Sequence, residues 1–241
     1  MNKKLKIVTK LATIYIEETY PTEGKYPEIV EHLYQYRKTG TFSGNNVVAI
    51  ADMREAMWWN RPLLEDTKAA WGIHTDGLPC CNVPTVFATD RTWKNKYNIL
   101  VNKNNVPTII QIKFPKSLTT NSIVKLYSMI FTVISRTLLR LGVNEQDLCQ
   151  INNDLLLRGK KIVGVEQSYN SDTNIYTGAF FITLKYWDEK ELFERLSYGK
   201  VPATAKRKIT GIIDEYPDIT KEEFLKVYCE EFKDYLNQFE F

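Results

Sequence analysis

The chain has 241 residues, 44% of them hydrophobic and 25% charged, which suits one large domain or one domain with a small appendage. Its 32 basic and 29 acidic residues leave a net charge of +3, which argues against the basic excess of a nucleic-acid-binding surface. The four cysteines (Cys80, Cys81, Cys149 and Cys229) and two histidines fit neither a zinc knuckle nor a secreted disulfide framework, and unpaired thiols suit a reducing, cytoplasmic setting.

The first 18 residues begin basic and turn mixed, without the apolar run and cleavage site of a signal peptide. Pro27 to Lys38 has helical spacing, and Val47–Ala51 has the pattern of a short buried strand. Residues 54–71 are mixed and are interrupted by Pro62, and Gly72 to Asp90 reads as a loop. Tyr97–Val101 and Thr108–Phe114 then predict a hairpin through Asn102–Asn105.

Ser122 to Leu141 is the clearest helix, with Asn121 or Ser122 as its cap and Gly142 as its stop. Lys125, Arg136 and Arg140 leave it an uncharged interior too short to span a bilayer. Strands are predicted at Asp154–Leu157 and Lys161–Val165, joined by a turn at Arg158-Gly159, and at Ile175–Tyr186. Residues 188–210 are charged and helix-compatible, and Thr220 with Glu223 forms a capping box that opens a last helix. This order predicts an α+β fold with a mixed, largely antiparallel sheet flanked by helices. A boundary near residue 187 would divide it into a main domain, 1–187, and a small C-terminal accessory domain, 188–241.

No phosphate-binding GxxxxGK[ST], nucleophile-elbow GxSxG or zinc-binding HExxH sequence occurs, and no protein-held metal site is expected. Lys161, one step past a turn, is a candidate to hold a carboxylate or phosphate in a cleft, although a solvated basic turn of Arg158, Lys160 and Lys161 fits the same pattern. Along an unbroken strand Lys161 and Val163 share one face, with Ile162 and Gly164 on the other. Asn153-Asp154 is either a ligand-facing pair or a turn entering the strand. Gly164 and Gly178, in neighbouring strands, would let a flat ligand lie across the sheet. The paired Trp58-Trp59, Trp71 and Trp93 suit either packing or stacking on a ligand.

Together these residues resemble the lipoate–protein ligase branch of the biotin/lipoate ligase superfamily. The likeness runs from about residue 138 to the end and is carried by Leu141-Gly142-Val143, Asn153-Asp154, Lys161-Ile162-Val163-Gly164 and Thr177-Gly178-Ala179-Phe180. Lys206–Thr210, Ile219-Thr220 and Glu223-Phe224 extend it, as does the upstream run Val47–Ile50. The resemblance implies ATP-dependent activation of a carboxylic acid such as lipoate to an acyl-adenylate, followed by transfer to a lysine of an acceptor carrier domain. It implies that Lys161 holds the carboxylate and phosphate, and that Asn153, Asp154 and Gly164 lie on the nucleotide side. Mg²⁺ would arrive with ATP.

The family's Arg-Arg/Gly-Gly-Gly loop corresponds to Leu78–Asp90, where Val86 and Asp90 keep the pattern but the arginines, glycines and histidine are replaced. Thr177 stands where the family's later strand has histidine. A non-catalytic ligand- or protein-binding homologue on the same scaffold is the alternative. A cysteine-based acyl transferase ranks behind both.

Overall fold

A computed structural model describes residues 4–19, 46–53, 57–62, 96–101, 104–151, 154–186 and 210–240. The helix expected at 27–38, the loop at 72–90 and the segment 188–209 lie outside these residues.

Eight strands form one sheet. They are β1 (Lys4–Val8), β2 (Thr13–Thr19), β3 (Val47–Met53), β6 (Asn105–Lys113), β7 (Leu148–Ile151), β8 (Asp154–Leu157), β9 (Lys160–Asn170) and β10 (Ile175–Thr183). The spatial order is β1-β2-β3-β6-β10-β9-β8-β7. The β2–β3 pair is parallel and every other pair is antiparallel, so the sheet is of the predicted kind. A separate two-stranded ribbon pairs β4 (Met57–Pro62) with β5 (Lys96–Val101).

Two local expectations are corrected here. The stretch 54–71 contains a strand, β4, and the hairpin expected between 97–101 and 108–114 does not form. Strand β5 pairs with β4, while β6 lies between β3 and β10. The reason is burial: Asn105 to Ile112 are almost all buried, and a strand apolar on both faces needs a neighbour along each edge. Pro107 is tolerated because it lies one residue beyond the β3 register, which ends at Thr108.

Helix α1 spans Thr120–Arg140. Its cap is Thr119, whose hydroxyl accepts from the Ser122 amide at 3.2 Å, rather than Asn121 or Ser122. It ends in a Schellman arrangement: the Gly142 amide donates to the Leu139 carbonyl and the Val143 amide to that of Leu138, with Gly142 at φ 87°. By length and composition α1 is apolar enough to cross a membrane, contrary to the estimate from its charges. Its stripe of Leu126, Met129, Ile130, Val133, Ile134 and Leu138 is buried in the core.

A short helix α2 (Ile212–Glu215) leads into α3 (Lys221–Gln238), which opens with the predicted Thr220/Glu223 capping box. Arg140 reaches from α1 to Glu230 and Glu231 of α3 at 2.7 and 2.8 Å, and the Tyr235 hydroxyl donates to the Lys125 carbonyl at 2.8 Å. Both long helices lie on one face of the sheet. Tyr228 donates to Thr108 of β6, Gln167 of β9 donates to the Tyr127 carbonyl of α1, and Lys221 pairs with the buried Asp52 of β3. Among the described residues, those from 212 to 239 share one core with the sheet.

Candidate functional site

Strand alternation divides the sheet's residues between the helix-covered face and its opposite. Ile110, Ile112, Leu155, Leu157, Val163, Tyr176, Phe180 and Ile182 join the helices in the main core. Ile109, Gln111, Leu156, Lys161, Ile175 and Thr177 are also buried, yet the apolar members of this second set stand outside that core. They belong to the other face, which carries the polar groups.

Lys161 reaches that face through a β-bulge. Leu155 pairs with Val163 but Leu156 pairs with Lys161, so Ile162 is an extra residue in β9. Ile162 and Val163 both face the core, and Lys161 and Gly164 both face the opposite side. The unbroken alternation read from the sequence is therefore wrong at this point: one inserted residue shifts the phase. The bulge places Lys161 beside Asp154, which lies across from Gly164 in the register.

The Lys161 Nζ to Asp154 Oδ1 distance is 2.5 Å, and the two side chains are 6% and 18% exposed. Position 164 adds no side chain to the face they share. A buried ammonium must be paired, and Asp154 supplies the partner. Lys161 is not part of a solvated basic turn.

Its neighbours in the turn are. Arg158 and Gly159 both have positive φ, 50° and 74°, the geometry of a tight two-residue hairpin. Arg158 bonds Asp147 at 2.8 Å and stacks over the Tyr216 ring at 4.7 Å, and Lys160 bonds Glu215 at 2.7 Å. The Thr210 hydroxyl donates to Glu215 as well, while its amide donates to the Lys161 carbonyl at 3.1 Å. The C-terminal segment thus clamps the backbone of Lys161 from behind.

The Lys160 hydrogen bond, with help from Thr210 and against partial burial, holds the Glu215 carboxyl below its ordinary value of 4.5. Tyr216 first and Arg158 second do the same for Asp147. A carboxyl lowered on folding contributes stability that is present above its unfolded value and is lost as pH falls through its folded one. Denaturant titrations from pH 7 downward are expected to show Glu215→Gln less stable than wild type near neutrality. The gap should close below pH 4.5, as wild-type Glu215 is protonated. A constant gap would mean that the charge contributes nothing.

The other expected site residues divide as follows. Asp154, Lys161 and Gly164 are brought together. Gly178 is not with them: a Cβ at this position would come within 2.6 Å of Phe180 Cζ and 2.9 Å of the Tyr176 hydroxyl, both on the helix-covered face. The two glycines therefore point to opposite faces, and the flat ligand expected across both has no common surface. Asn153, Val86 and Asp90 lie outside the described residues.

Thr177 faces the polar side, its hydroxyl 2.9 Å from that of Ser168. Beside it on β6 stands Gln111, which sequence reasoning missed. A lone amide within Ile109-Ile110-Gln111-Ile112 was the available signal.

Among the described residues no three His, Cys, Asp or Glu side chains converge as a metal cage. Asp154 brings a carboxylate to this face, where it is engaged by Lys161. Cys229 lies in the main core on the helix-covered face, where burial pushes its thiol up to about 12, far from a reactive thiolate.

No sequence-family model matches the chain, and no curated protein matches it by sequence. Solved structures do. A bipartite lipoate protein ligase from Thermoplasma acidophilum superposes with a TM-score of 0.50 at 11% identity, over 85% of this chain and 77% of that one. A candidate lipoate protein ligase from the same organism, with lipoic acid bound, gives a TM-score of 0.50 at 10% identity, over 91% and 83%. At such identities likeness speaks for architecture, and the chain shares the fold of these lipoate protein ligases.

Proposed function

We propose that the protein is an ATP-dependent acyl ligase acting in the cytoplasm. It would activate a carboxylic acid of the lipoate kind and pass the acyl group to a lysine of a carrier domain. The observation that carries this reading is the bulge-placed, buried Lys161 beside Asp154 on the polar face. Support also comes from the similar T. acidophilum proteins, one solved together with its E2 lipoyl domain and one with lipoic acid bound.

In the first step a carboxylate oxygen attacks the α-phosphorus of ATP; the bond to the β-phosphate oxygen breaks and pyrophosphate leaves. Both reactants are anionic, so the poorly hydrated Lys161 ammonium, turned from Asp154 towards them, would lower the barrier by neutralising charge. In the second step the acceptor amine attacks the acyl carbon, AMP departs with the bonding pair, and the amine proton passes to solvent. Lys161 stabilises the departing phosphate.

The Lys161–Asp154 pair is closed, which favours a second reading: a non-catalytic ligand- or protein-binding protein in which the ammonium stays engaged. ATP–pyrophosphate exchange over a panel of carboxylic acids separates the two. The ligase reading expects acid-dependent exchange with at least one of lipoate, octanoate, biotin and related acids. Silence across the panel would sink it.

A further inference from the structure

Gln111 is 6% exposed, and its Nε2 is buried with no hydrogen-bond partner among the described residues. It stands in the middle of β6, level with Thr177 of β10 and Ser168 of β9, on the face that carries Lys161. The hydroxyls of Thr177 and Ser168 bond each other at 2.9 Å, and neither accepts from the Gln111 amide. A buried amide donor left without an acceptor is costly, and methionine or leucine would fill the same place without that cost. A group that arrives from outside would answer this donor.

The position limits what that group is. From the Asp154–Gly164 level to the Ser168–Thr177–Gln111 level is four residues along the strand, about 13 Å, and Gln111 lies two strands across from β9, about 10 Å. That separation suits the far end of a molecule whose carboxylate is held by Lys161. The neighbouring Ile109 offers apolar contact along the way.

Resting on the ligase reading for the identity of the anchored end, we infer that Gln111 is a specificity residue for the acyl chain. It selects carboxylic acids that bear a hydrogen-bond acceptor, such as a carbonyl oxygen, at their distal end over plain hydrocarbon acids. The amide N–H donates to that acceptor, and the carboxylate stays with Lys161.

The test is calorimetric binding of decanoate and of its oxodecanoate isomers to the full chain, wild type and Gln111→Met, with thermal melts of both proteins free of ligand. Wild type is expected to bind at least one oxo isomer about 5- to 10-fold more tightly than decanoate, the worth of one hydrogen bond. In Gln111→Met that ratio should fall to about one, and the ligand-free variant should melt at or above wild type, since no internal bond is lost. A variant that melts well below wild type would overturn the inference, because the amide would then have a partner in the fold. Equal ratios in the two proteins, or no binding of any oxo isomer, would overturn it as well. None of these measurements uses ATP. Selective binding with silent exchange removes the ligase reading alone, and exchange without selectivity removes this inference alone.

Discussion

Lys161→Ala is expected to lower acid-dependent ATP–pyrophosphate exchange by about 100- to 1,000-fold, the usual loss when one preorganised electrostatic donor is removed from a reaction centre. The loss should fall mainly on kcat, because charge on the phosphate grows towards the transition state. The substitution also strands Asp154: breaking a buried pair from one side costs about 3–5 kcal/mol. Activity must therefore be compared at matched folded fraction, with a Lys161→Met/Asp154→Leu variant as the control. That variant removes both charges and should be close to wild type in stability while remaining inactive. Lys161→Arg keeps the charge but replaces a point ammonium with a planar fork, so partial activity is expected. Exchange within twofold of wild type in a folded Lys161→Ala protein would end the catalytic assignment.

Phe232→Ala is expected to be the most damaging single change to the fold. Phe232 is fully buried in α3, with its ring edge-on to Tyr228 at 4.9 Å, and Tyr228 in turn donates to Thr108 in the sheet. Truncation leaves a cavity between helix and sheet that a packed interior closes only in part, costing about 3–5 kcal/mol. For a chain of this size that is a fall in melting temperature of about 10 °C. Chemical denaturation should show the same loss with an unchanged slope. A cost near zero would mean that α3 is held elsewhere.

Much of the architecture was legible from local chemistry. The Thr220/Glu223 box, the Gly142 stop and the β-branched run from Ile175 report on turns and caps, and these depend on neighbours a few residues away. The hairpin expected across Asn102–Asn105 failed because the partners of a doubly buried strand are chosen by the whole sheet. The Lys-Ile-Val-Gly run singled out Lys161, but its facing was misread. A bulge is a mismatch between two strands, so neither strand reveals it alone. The two glycines were read as a pair, and they lie on opposite faces of the sheet.

Gln111 shows the same limit from the other side. One amide among isoleucines reads as an irregularity in a strand, and its meaning depends on which face it occupies and whether anything there answers its N–H. Helix caps and stops, the amphipathic segments and the lysine one step past a turn were readable in the sequence, because backbone preference and burial period act over a few residues. That Lys161 is buried beside Asp154, and Lys160 held by Glu215, follows from the folded chain alone. Burial and pairing are properties of groups that the chain brings together from far apart, and no local pattern encodes the partner.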